Sequence, residues 1–208
     1  LALYVKSRLS RHESDRSRIY YTLSFIALIL AIFSKEMTIT LPFMILLYEV
    51  CFFREEGIDW KHVAPFFITL LIIPVTMAVT KYVNFAEMRL MSETSPGILP
   101  SDYLLTQFGV IVTYIRLLFI PVNQNLDYDY PISKTLFDMP TLVSLVLLAV
   151  ILITAVRISR KYRLVSFGIF WFFLTLLPES SIVPIQDVIF EHRLYLPMVG
   201  FSIFLVSA

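Results

Sequence analysis

The sequence predicts an all-α fold, a polytopic transmembrane helical bundle with broken helices and extracytoplasmic loops. Three observations carry that expectation. Of 208 residues, 58% are hydrophobic and 16% charged, with a mean hydropathy of +0.78, whereas a soluble domain carries about 25% charge. The apolar residues fall in blocks: uncharged runs cover residues 19–34, 63–80, 139–156 and 164–178, each close to the roughly 17–25 residues that a membrane-crossing helix needs. Between the blocks lie short charged or proline-rich stretches, two of them markedly basic.

Composition also excludes some classes. A net charge of +1, with no basic patch interleaved with aromatics, gives no footprint for nucleic acid. The single cysteine, Cys51, precludes a disulfide within the chain. Only five glycines are present and none forms a phosphate-binding loop. No signal peptide, repeat of 20–50 residues or low-complexity segment is visible. The chain starts at Leu1 and stops inside an apolar run at Ala208, which predicts an internal fragment of a longer protein.

Residues 1–18 hold Lys6, Arg8, Arg11, Arg16 and Arg18 against Glu13 and Asp15, so they read as a loop on the cytoplasmic side. Residues 19–53 follow, interrupted by Ser34-Lys35-Glu36. One straight helix of that length would measure about 50 Å, beyond a hydrocarbon core of roughly 30 Å. Two short membrane helices meeting at Ser-Lys-Glu are the economical solution, the second containing Pro42. Lys35 and Glu36 then lie at the outer face, as functional groups or as a neutralised pair at a helix end. Residues 63–80 form a further span with Pro74 as a tolerated kink, and 81–102 a polar loop.

Residues 103–120 are apolar but carry Gln107 and Arg116, and run into a stretch at 121–131 without lysine or arginine. After the span at 139–156, Arg-Ile-Ser-Arg-Lys-Tyr-Arg at 157–163 has four basic residues and no acid, the second cytoplasmic marker. That makes 123–138 and 178–197 extracytoplasmic. A parity conflict results. Both basic stretches belong inside, yet five candidate crossings (19–34, 37–53, 63–80, 103–120 and 139–156) lie between them. The favoured exception is 103–120, as an in-plane or re-entrant helix with Arg116 at headgroup level.

The stretch at 178–197 joins two apolar segments yet holds Glu179, Asp187, Glu191, His192 and Arg193, broken by Pro184 and Pro197. Such a piece cannot face lipid; it lines a cavity, lies at the interface or pairs internally. Lys35 and Arg193 are candidates for a phosphate-bearing ligand, because guanidinium offers paired donors and lysine a point charge. The alternative for Arg193 is a salt bridge to Glu191 or Glu179. His192 between acid and arginine is a candidate proton relay or a structural histidine. Asp127-Tyr-Asp129 has the form of an Asp-X-Asp cation site, although hydrogen bonding to a polar substrate, or capping of a surface loop, accounts for it as well.

Three motifs, in order, span nearly the whole chain: Ser-Lys-Glu-Met-Thr-Ile-Thr-Leu-Pro at 34–42, Arg-Leu-Leu-Phe-Ile-Pro-Val-Asn-Gln-Asn-Leu-Asp-Tyr-Asp-Tyr-Pro at 116–131, and Glu-His-Arg-Leu-Tyr-Leu-Pro at 191–197. Together they resemble membrane-embedded GT-C glycosyltransferases, and most nearly the transmembrane-and-tetratricopeptide proteins with their bacterial relatives. The resemblance implies a partial GT-C-like transmembrane domain over 1–208, multi-pass in a bacterial inner membrane. It implies O-mannosyltransferase-like transfer of a sugar from a polyprenyl-phosphate donor to a protein or glycan acceptor outside the cytoplasm. Such enzymes need no metal or other cofactor, and their catalytic acid lies in a first extracytoplasmic loop, here expected before Leu1, with tetratricopeptide repeats after Ala208. On that basis Lys35, Arg193 and Arg116 would meet the donor phosphate, and Glu36, Asp127, Asp129, Glu191, His192 and Tyr195 the sugar or acceptor. The rival classes are a non-catalytic membrane anchor for protein-binding repeats and a ligase or polymerase of surface polysaccharide.

Overall fold

A computed structural model describes residues 1–11, 13–53, 55, 57–72, 75, 98–125, 128–180 and 187–208. No strand occurs among them, and the chain divides into two compact units, Leu1–Arg89 and Leu90–Ala208. Among the described residues, three helices are long and apolar enough to cross a membrane: Asp15–Ser34, Pro100–Phe119 and Met139–Ile158. The crossing expected at 63–80 lies only partly within the described residues, which show α4 (Trp60–Ile68) followed by a 3-10 turn, Thr69–Leu71.

In the first unit, the basic N-terminal stretch is not the loop expected. It forms α1 (Ala2–Leu9) and the first turn of α2 (Ser14–Ser34). The segment Ala-Leu-Tyr-Val-Lys-Ser-Arg-Leu lacks glycine and proline, and its Tyr4, Ser7 and Arg8 fall on one helical face, all three buried. The reason lies far along the chain. Glu49, fully buried on α3 (Leu41–Phe52), accepts hydrogen bonds from Tyr4 Oη and Arg8 Nε, each at 2.9 Å. The Arg8 guanidinium also lies 4.5 Å from the Phe53 ring centroid. Burial first, then the Glu49 carboxylate, raises the Tyr4 phenol well above its ordinary pKa, so it stays a donor. Arg11 pairs with Asp59, which also holds His62 Nδ1 at 2.6 Å.

Around this cluster packs a core of Tyr4, Leu28, Ile32, Ile45, Val63 and Phe66. Phe66 is met edge-on by Tyr4, Tyr21 and Phe25, with centroids 5.5–5.6 Å apart, the geometry that aromatic quadrupoles favour. Replacing Glu49 with alanine leaves the Arg8 charge buried without its carboxylate and is expected to destabilise the protein by about 3–5 kcal/mol. Thermal unfolding in detergent checks this. A loss below about 1 kcal/mol, typical of a solvent-exposed pair, contradicts it.

The expected break at Ser-Lys-Glu is present. α2 ends at Ser34 and Lys35 is extended (φ −156°, ψ 129°). A 3-10 turn over Glu36–Thr40 follows, and the Thr38 hydroxyl donates at 3.2 Å to the Ala31 carbonyl, which also accepts the Lys35 N–H at 2.9 Å. Pro42 lies in the first turn of α3 and not in a helix interior, so its missing N–H breaks no helical bond.

The second unit is built on α5 (Pro100–Phe119), α6 (Met139–Ile158), α7 (Arg163–Leu176) and α8 (Pro197–Ser207). The buried face of α5 carries Tyr103, Thr106, Gln107, Val110, Tyr114 and Leu117, a helical-spacing stripe with polar tips on an apolar body. From α5 the chain turns at Asn123, whose φ of 56° is left-handed, and runs back along the helix. Tyr130 lies on Gly109, where an added Cβ would come within 2.6 Å of its hydroxyl, and Ser133 N–H donates to Thr106 Oγ1 at 2.9 Å. α6 then starts beside the N-terminal part of α5 and runs in the same direction. Accordingly, Ile115, Leu118 and Phe119 face Val150, Ile151 and Thr154 across an apolar cavity of about 350 Å³.

α7 turns back along α6, with Ser166 Oγ donating to the Ala155 carbonyl at 2.8 Å. α8 returns against α7. Their backbones meet at Gly168 and Gly200: a Cβ on Gly168 would lie 2.6 Å from Gly200 O, and one on Gly200 would lie 2.5 Å from Gly168 O. Small residues at such a crossing replace side-chain packing by backbone contact.

Candidate functional site

The charged stretch after α7 is laid along α5, and the polar tips of α5 hold it there. Tyr103 Oη donates to Glu179 O at 2.7 Å, and Gln107 Nε2 to Val188 O at 3.0 Å. The Tyr114 hydroxyl donates to Phe190 O and accepts from Phe190 N–H, both at 2.9 Å. A hydroxyl can fill both roles at once. Non-helical backbone beside apolar helices needs its polar groups satisfied internally, and these three side chains supply partners at Glu179, Val188 and Phe190.

Arg193 closes the segment on itself. Its side chain is 3% exposed, with Nε 3.1 Å from Glu179 Oε2. Nη1 donates to Val188 O at 3.2 Å and Nη2 to Asp187 O at 2.9 Å. Of the two readings of this residue, the ion pair with Glu179 is the arrangement present, and all three guanidinium nitrogens are engaged by protein.

Glu191, two residues earlier on the 3-10 turn Glu191–Leu194, reaches the other motif. Its Oε1 accepts from Asn125 N–H at 2.8 Å and from the Tyr128 hydroxyl at 2.5 Å. Two stretches more than sixty residues apart in sequence are thereby joined. Where they meet lies an open groove of about 340 Å³ walled by Gln124, Asn125, Phe190, Glu191 and His192. The His192 ring stands at the groove, tilted against Phe190 with centroids 4.9 Å apart. A carboxylate, two carboxamides, an imidazole and an aromatic face are the groups that bind a hydroxyl-rich ligand.

Other expected site residues are placed as follows. Arg116 is exposed near the C-terminal end of α5 and donates to Val122 O at 3.1 Å. Asp129 is exposed in the returning stretch, and Tyr195, 80% exposed, follows the 3-10 turn. Lys35 is exposed at the break in the first unit. Asp127 and the Glu36 side chain lie outside the described residues. No group of three or more His, Cys, Asp or Glu side chains suited to a metal ion occurs among the described residues.

Sequence reasoning missed Gln124, Asn125 and Phe190 as groove residues, and Tyr103, Gln107 and Tyr114 as the scaffold behind them. The signal for the scaffold was present: polar groups at positions 103, 107 and 114 keep one face of an otherwise apolar helix. No family model, no curated protein and no solved structure matches the chain.

Proposed function

We propose that this chain is the membrane module of a glycosyltransferase that moves a sugar, mannose-like, from a polyprenyl-phosphate donor to a protein or glycan acceptor on the extracytoplasmic side of a bacterial inner membrane. One observation carries the reading. The groove walled by Gln124, Asn125, Glu191 and His192 is assembled from two of the three motifs behind the resemblance, drawn together at Glu191. The fold proposed around it is a GT-C-like helical bundle. Glu191 and His192 contact sugar or acceptor hydroxyls, with Asp129 and Tyr195 at the margin, while Arg116 supplies positive charge for the donor phosphate. Arg193 acts indirectly, by fixing the segment that carries Glu191 and His192. No metal or other cofactor takes part.

The experiment is donor binding by the protein as its gene encodes it, in membranes. A charge-assisted hydrogen bond to a sugar hydroxyl contributes about 1.5–3 kcal/mol, so Glu191→Gln and His192→Ala are expected to weaken binding of a polyprenyl-phosphate sugar at least tenfold without lowering thermal stability. Glutamine keeps an acceptor for Asn125 and Tyr128, so the groove survives the change. Unchanged affinity in both variants overturns the assignment and favours the membrane anchor for protein-binding repeats.

A further inference from the structure

α5 is long and apolar enough to cross a membrane, yet its direction relative to α6 gives it a different topology. Ser133, bonded to Thr106, lies six residues before α6 starts. At the other end, Leu118 and Phe119 face Ile151 and Thr154. Thr106 to Leu118 and Met139 to Ile151 are each twelve residues, about 18 Å of helix. Side by side and in step, the two helices point the same way. If α6 crosses the membrane, the first residues of α5 and of α6 therefore lie on one side, and residues 128–138 run back along α5 to reach it.

Extended backbone at that depth is tolerated only where it is buried in protein or lines water. Residues 121–125 and 129 are exposed, Asn123, Gln124, Asn125 and Asp129 among them, and a run of exposed residues, 134–139, continues to the start of α6. We infer that residues 100–138 form a re-entrant unit, entering and leaving on the side opposite the basic turn at 157–163. They open a water-filled recess from that side onto the groove of Gln124, Asn125, Glu191 and His192. The inference rests on the membrane reading of the helices and not on the transfer chemistry. It also removes one of the five candidate crossings between the two basic stretches, so that four remain and both stretches fall on one side.

Thiol labelling tests it. Cys51 is the chain's single cysteine and is buried, so wild type gives the background. The variants Ser101→Cys, Thr135→Cys, Asn125→Cys and Arg160→Cys replace exposed residues, and each is first checked for a wild-type thermal transition. A membrane-impermeant maleimide is applied to intact and to permeabilised cells. The expected result is that positions 101, 135 and 125 label from one side and position 160 only from the other. Labelling of 101 and 135 from opposite sides makes α5 an ordinary crossing and overturns the proposal. So does a position 125 that stays unlabelled in both preparations or labels only from the side of position 160. None of these outcomes depends on sugar transfer, so the topology and the proposed activity fail separately.

Discussion

Arg193→Ala is expected to cost about 3–5 kcal/mol of stability, in the absence of any donor, because it leaves a largely buried carboxylate without its partner. Glu179 loses its ion pair and the carbonyls of Asp187 and Val188 lose their donors. Those groups lie in the same stretch that Tyr103, Gln107 and Tyr114 fasten to α5, so the damage is expected to spread to Glu191 and His192. Arg193→Lys recovers less than half of the loss. An ammonium can be placed against Glu179, but it does not reproduce three planar donors aimed at three acceptors. Thermal unfolding in detergent, run without donor, is the readout. A variant that unfolds like wild type yet no longer binds a polyprenyl-phosphate ligand would place Arg193 at the phosphate and contradict its positioning role.

The second large effect is expected at the α7–α8 crossing. Gly200→Leu has no room: even its Cβ would meet Gly168 O at 2.5 Å, Trp171 Cδ1 at 2.7 Å and Phe172 N at 2.9 Å. Two of these are backbone atoms and cannot swing aside, so the helices must separate. Separation also strains the hydrogen bond from Trp171 Nε1 to Leu196 O, now 3.0 Å. Overpacking typically costs about 1–3 kcal/mol, and a forced backbone shift puts this variant at the upper end or beyond. Ser202→Leu, exposed on the same helix, is the control and should stay within about 0.5 kcal/mol of wild type. Equal stabilities for the two variants would mean that the helices do not touch at their glycines.

How much of this was legible in the sequence differs by element. The break at Ser34-Lys35-Glu36 was, because a helix through it would be too long for a bilayer and its residues are polar. For 178–197 the sequence left a cavity lining, an interface and internal pairing open, and the described residues show two of these, Arg193 pairing with Glu179 and Glu191 lining a groove. The helix over Ala2–Leu9 was not legible. Its stability comes from Tyr4 and Arg8 meeting Glu49, at separations of 45 and 41 residues, and nothing near them in sequence announces that contact. Arg193 shows a related limit. Glu179 and Glu191 were equally available on paper, and only the fold shows that one takes the guanidinium while the other reaches Asn125 and Tyr128. The return of 128–138 along α5 was hidden for a third reason. Gly109 and Thr106 look ordinary in the sequence and gain meaning only when Tyr130 and Ser133 lie on them.

The central claim is that two motif segments, fastened to α5 and joined at Glu191, form the groove of a polyprenyl-phosphate-dependent sugar transferase. Sugar transfer from a defined polyprenyl-phosphate donor, measured in membranes for the protein as its gene encodes it and for its Glu191→Gln and Arg116→Ala variants at matched amounts of folded protein, tests it most directly. Transfer by wild type that falls at least tenfold in both variants is the predicted result. No transfer by wild type, or transfer indifferent to both substitutions, would contradict it and leave these charges with structural work alone.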